Sequence, residues 1–106
     1  MSRYVVTPNA RDDLEDITLY LLAAGGPQLA RHVIGRLHRG MRLIGEMPGI
    51  GHLRQDLTDE PVKFWQVFSY LIVYDPIPRP VPIVAVVHSA RDVAAVLAKR
   101  GTSGQT

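Results

Sequence analysis

The densest group of chemically able side chains is His88-Ser89-Ala90-Arg91-Asp92, directly after the apolar run Ile83-Val84-Ala85-Val86-Val87. An imidazole can move a proton near neutral pH and a guanidinium can hold an anion. A hydroxyl and a carboxylate can accept the free backbone N–H groups of a helix start. Ser89 and Asp92 therefore read equally as helix caps and as site residues. His88 and Arg91 are not needed to end a strand, which favours exposure for use. Lys63-Phe64-Trp65 is the second candidate, a cation beside the only Trp of the chain. Trp65 reads either as a core anchor or as a contact residue of the type that dominates interface hot spots.

The familiar catalytic signatures are missing: no phosphate loop, no nucleophile elbow, no paired-histidine zinc motif. His32 and His38 fall on different helix faces, and His52 and His88 are far apart in sequence with no carboxylate cluster nearby. Neither a metal nor any other cofactor is expected. Charge is uneven despite a formal net of +2. Asp12, Asp13, Glu15 and Asp16 crowd one stretch; Arg31, Arg36, Arg39 and Arg42 hold another with no acid before Glu46. Ten of the twelve basic residues are Arg, the side chain suited to forked contacts with carboxylate or phosphate. The two stretches could neutralise each other as adjacent helices, or the arginines could form a face for an acidic partner or nucleic acid.

These residues need elements to hold them. Tyr4-Val5-Val6 is a short strand. Thr7 can cap a helix and Pro8 suits its first turn. Leu14, Ile17, Tyr20 and Leu21 give that helix one apolar stripe, with Asp12 and Asp13 assigned to its positive end. Gly25-Gly26-Pro27 ends it. Ala30, Val33, Ile34, Leu37, Met41 and Ile44 make a second apolar face from about Pro27 to Met47. So short a turn between two helices predicts a hairpin. After Pro48-Gly49-Ile50-Gly51 the period changes to strands: 64–68, 70–74 and 82–87. Phe68-Ser69-Tyr70 is a tight turn, and the proline-rich 75–80 is an exposed loop. Short links predict a meander with the last two strands central. His52, near the turn, lies on a loop that could carry a short edge strand. Ser89 and Asp92 then start a short helix, 93–99.

The order β–αα–βββ–(α) describes an α+β domain in two layers, an antiparallel sheet against a helical hairpin. At 106 residues one domain is expected, 1–100, with 101–106 a disordered tail. There is no cysteine and no apolar run long enough to span a bilayer. Together with an N-terminus unlike a signal peptide, this reads as a soluble, cytoplasmic protein.

Thr7-Pro8 with Ala10-Arg11-Asp12-Asp13-Leu14, the turn Met47-Pro48-Gly49-Ile50-Gly51, Tyr70-Leu71-Ile72-Val73-Tyr74, and Val86-Val87-His88-Ser89-Ala90-Arg91-Asp92 resemble ParE-type toxins of the RelE/ParE superfamily. The resemblance runs in order from about Tyr4 to Leu97. It implies the toxin of a type II toxin–antitoxin pair, silenced by a ParD-like antitoxin encoded beside it and reaching operator DNA only through that antitoxin. For the ParE branch it implies inhibition of DNA gyrase, and a non-enzymatic inhibitor is the favoured reading. Alternatives are a ribosome-dependent mRNA endonuclease of the RelE type and an inactive toxin that only binds antitoxin and regulates the operon. RNA cleavage needs proton donors and acceptors with cations around the phosphate. Lys63, His88 and Arg91 could fill those roles only thinly, and residues 92–100 offer no Tyr. Trp65, His88 and Arg91 are the expected target contacts; Arg31, Arg36, Arg39 and Arg42 are the expected antitoxin contacts.

Overall fold

The computed structural model describes residues 3–100, so the expected tail 101–106 lies outside the described residues. The elements are β1 (Tyr4–Val6), α1 (Pro8–Glu46), a 3-10 turn (Pro48–Ile50), β2 (Lys63–Val67), β3 (Tyr70–Tyr74), β4 (Val81–His88) and α2 (Val93–Arg100).

Thr7 caps α1 as its position suggested. Its Oγ1 accepts the Ala10 N–H at 3.4 Å and donates to the Ile83 carbonyl at 2.9 Å, so the cap also ties the helix start to β4. The helix is interrupted at Gly26, whose φ of 82° is open to glycine but strained for other residues. A straight helix of 39 residues would run about 58 Å. The longest dimension of the molecule is 37 Å, so the chain folds back at Gly26. Pro27 opens the second arm, where its missing N–H costs nothing. The two arms, 8–25 and 27–46, form the expected hairpin with one residue outside helical geometry.

The sheet order is β1-β4-β3-β2, which puts the most apolar strands, β3 and β4, in the middle. The meander is antiparallel throughout. β1 departs from the expected pattern, pairing parallel with β4 through Tyr4 to Val6, so the sheet as a whole is mixed. A long crossover through α1 and the meander separates the two strands, and only a crossover of that kind permits parallel pairing.

Every residue of β3 is buried because both sheet faces are covered. Ala10, Leu21, Ala30, Val33, Leu37, Met41 and Ile44 of α1 pack with Ile72, Tyr74, Ile83 and Val86 on one face. Val93 and Leu97 of α2, with Val62 and Leu57 from the loop before β2, pack with Phe64, Leu71, Val73, Ala85 and Val87 on the other. The two-layer expectation therefore gains a partial third layer. Two other expectations shift. Asp12 and Asp13 lie past the first turn of α1. Asp92 alone caps α2, its Oδ1 accepting the Ala95 N–H at 3.1 Å, while the Ser89 N–H goes to the Ser69 carbonyl at 2.7 Å.

A buried tyrosine fastens the turn at Pro48–Ile50. The Tyr74 hydroxyl donates to the Pro48 carbonyl at 2.7 Å and accepts the Gly51 N–H at 2.8 Å. A Cβ at Gly51 would stand 2.5 Å from that hydroxyl and 2.8 Å from the Phe64 carbonyl, so only glycine fits. Beyond it His52 bridges to Phe64, the short edge pairing anticipated for this loop.

Candidate functional site

β3 and β4 pair so that Tyr70 faces His88 across the ladder. The two rings meet edge to face, 5.1 Å between centroids at 81°. The first arm of α1 crosses this end of the sheet and brings Asp13, Asp16, Ile17 and Tyr20 alongside. Together with Val86 and Arg91 these residues line a pocket of 420 Å³, within the size range of small-ligand and anchor-residue sites.

The back of the pocket is tied together by hydrogen bonds among α1, β4 and α2. β1 ends opposite Ile83, so the Val86 N–H beyond it has no partner strand on that edge. Asp13 supplies the acceptor, its Oδ2 taking the Val86 N–H at 2.9 Å. The same carboxylate takes two N–H groups from Arg100 at the end of α2, one at 2.9 Å. Asp13 is the buried charged residue among those described. The pairing holds the Arg100 guanidinium even more firmly protonated than usual, against the opposing cost of partial burial.

The front is polar and open. The Ala90 N–H donates to His88 Nδ1 at 3.0 Å, so in the neutral ring the proton sits on Nε2. The Arg91 N–H bonds the His88 carbonyl at 3.0 Å, folding the chain so that guanidinium and imidazole share the rim. Arg91 and Asp16 are exposed, and among the described residues neither belongs to an ion pair. Burial pushes the Tyr70 hydroxyl above its ordinary range, with the nearby Tyr20 adding to the shift. The arrangement offers a cation, an imidazole donor, two phenols and a free carboxylate around one opening.

His88 and Arg91 are thus brought together. Lys63 is not: it pairs with Tyr74 while His88 pairs with Tyr70, at opposite ends of β3 and about 13 Å apart along the strand. Its Nζ approaches the Gly51 carbonyl at 3.5 Å. Trp65 is half-buried against the α1 core, beside Gly40. Arg31, Arg36, Arg39 and Arg42 are all exposed, and none forms an ion pair among the described residues. Helix geometry fans them out: Arg31 and Arg42 lie about 20° apart, Arg39 about 60° beyond Arg42, and Arg36 about 60° further again. Asp13, Asp16, Tyr20 and Tyr70 were not singled out from sequence as site residues. Asp13 did carry a signal, an acid spaced three residues from Ala10 and four from Ile17 on the apolar stripe.

Among the described residues no group of three or more His, Asp or Glu could hold a metal, and no helix is long and apolar enough to cross a membrane.

Residues 4–93 match a family model described as the ParE toxin of the type II toxin-antitoxin system, parDE. Among solved structures, a chromosomal ParDE toxin–antitoxin system from P. aeruginosa is similar with a TM-score of 0.68 at 15% identity, covering 80% of this chain and 92% of that one. At that identity the likeness speaks for the fold. No curated protein matches the chain.

Proposed function

We propose that this chain, which belongs to the ParE toxin family of type II toxin–antitoxin systems, inhibits DNA gyrase by surface contact in the cytoplasm and is neutralised by an antitoxin encoded beside it. The observation that carries the reading is the pocket rim. Arg91 is exposed without a carboxylate partner, next to an imidazole whose ring is held from behind by the Ala90 N–H. An exposed cation beside aromatic rings is what an interface anchor needs, and binding to a large enzyme requires no reacting group. Lys63, the third residue that RNA chemistry would recruit, stands on β2 opposite Tyr74, at the other end of β3 from the residue that pairs with His88.

One observation favours a second reading, an mRNA endonuclease. The pocket supplies Tyr20 and Tyr70 beside His88 and Arg91, phenols that residues 92–100 lack. A phenol, an imidazole and a guanidinium are a workable set for proton transfer and phosphate binding.

Two assays on the purified chain separate the readings: supercoiling by gyrase, and primer extension on ribosome-bound mRNA. Loss of supercoiling with intact mRNA is expected. Codon-positioned cuts that vanish in His88→Ala or Arg91→Ala would overturn gyrase inhibition in favour of the endonuclease.

A further inference from the structure

The second arm of α1 carries a surface that the pocket does not use. At the β2–β3 turn Phe68 adopts a φ of 54°, left-handed backbone that Gly or Asn occupies with less strain. The residue is 46% exposed and lies outside the buried core. A strained residue that the core does not require points to use at the surface.

His32 and Arg36, both on the second arm, meet the ring. His32 lies 5.6 Å away, tilted at 43°, and the Arg36 guanidinium sits 4.9 Å from the ring centroid. The Gln66 side chain bonds the Phe68 carbonyl at 2.9 Å and braces the turn. Leu29, His32, Arg36 and Arg39 recur at three- and four-residue spacing, one stripe along the helix. Leu29 is exposed at its far end. The stripe offers apolar anchors at Leu29 and Phe68, with two guanidinium groups that no carboxylate among the described residues pairs.

We infer that Leu29, His32, Arg36, Arg39 and Phe68 form the docking surface for an acidic, amphipathic segment of the antitoxin. This rests on the antitoxin reading above and narrows it, because Arg31 and Arg42 stand about 140° and 120° round the helix from Arg36, the arginine that meets the Phe68 ring, and take no part. Charge complementarity selects the occupant: carboxylates reach Arg36 and Arg39 while an apolar side chain packs between Leu29 and Phe68. The cation on the aromatic ring makes Arg36 a fixed rather than a wandering charge.

The test titrates the full chain against the purified product of the adjoining antitoxin reading frame by calorimetry, with melting temperatures recorded for each variant. Phe68→Gly should bind at least ~10-fold more weakly while remaining folded at the titration temperature, since the relief of left-handed backbone strain offsets part of the lost ring contacts with His32 and Arg36. Arg36→Ser with Arg39→Ser should weaken binding comparably, and Arg31→Ser with Arg42→Ser should leave it near the parent value. Equal losses from the two arginine pairs, or an unchanged affinity in Phe68→Gly, would overturn the assignment while leaving the antitoxin reading intact. A parent chain that does not bind the antitoxin would remove both. Binding of single-stranded oligouridine that disappears in Phe68→Gly would make the surface a nucleic-acid site and overturn the peptide assignment.

Discussion

Asp13 and Arg100, 87 residues apart in the chain, join the first arm of α1 to the last turn of α2. The pair is nearly enclosed at the Asp13 end, and the carboxylate simultaneously satisfies the Val86 N–H. Removing the acid strands a partly buried guanidinium and a buried backbone donor together. Asp13→Ala is expected to cost about 3–5 kcal/mol of stability. Arg100→Ala leaves a carboxylate that still holds one N–H and can admit water, so about half that loss is expected. Urea denaturation of the two variants checks the asymmetry; equal losses would mean that the Val86 bond contributes nothing.

The Tyr74 hydroxyl does for the turn at Pro48–Ile50 what Asp13 does for β4. Tyr74→Phe leaves the Gly51 N–H and the Pro48 carbonyl without their partner, at about 1–3 kcal/mol. Gly51→Ala forces its new methyl against both the hydroxyl and the Phe64 carbonyl, and backbone cannot yield as a side-chain tip can. Thermal melts should place Gly51→Ala below Tyr74→Phe. The reverse order would show that the turn can shift away from the sheet.

Alkaline pH gives a sign that can be checked. Burial pushes the hydroxyls of Tyr70 and Tyr74 above their ordinary value of about 10, the Gly51 N–H partly opposing this at Tyr74. In this range the folded state keeps protons that the unfolded chain has lost. The stability from these groups is therefore full below about pH 10 and is lost as pH rises towards the raised folded values. Urea midpoints should fall between about pH 9 and 11, and less steeply in Tyr74→Phe. A midpoint that is flat or rising there would contradict the burial argument.

The fold was legible wherever one residue fixes local geometry. Thr7-Pro8 marks the start of α1, Gly26-Pro27 its reversal, and the unbroken apolar runs 70–74 and 83–87 the central strands. Periodicity could not show the parallel edge strand, because Tyr4 to Val6 reads the same whichever way its partner runs. Nor could it show that α2 covers the second sheet face, since eight residues carry too weak a stripe to say what lies beneath. The site divides similarly. His88 and Arg91 sit within one segment and were visible together. Tyr20, Tyr70 and Asp16 arrive from α1 and β3, brought in only by the hairpin's path across the sheet. Lys63 shows the converse: type and strand position made it a candidate, and register sets it on β2 opposite Tyr74, away from the end of β3 that faces His88.

Arg91 and Arg100 lie nine residues apart around the same end of the molecule, and they should fail in opposite ways. Arg100 is spoken for: two bonds to Asp13 and a partly buried stem make it part of the framework. Arg91 is exposed, pairs with no carboxylate among the described residues, and contributes about 0–1 kcal/mol to folding as a surface charge of that kind. Arg91→Ala should melt like the parent and lose growth inhibition when induced without antitoxin. Arg100→Ala should melt lower and keep its toxicity at temperatures where it remains folded. Measuring melting temperature and colony formation for both variants at two growth temperatures separates the roles. If Arg91→Ala unfolds, its guanidinium belongs to the framework instead. If it folds and still arrests growth, the target contact lies elsewhere, and Tyr20 at the exposed mouth of the same pocket becomes the next residue to change.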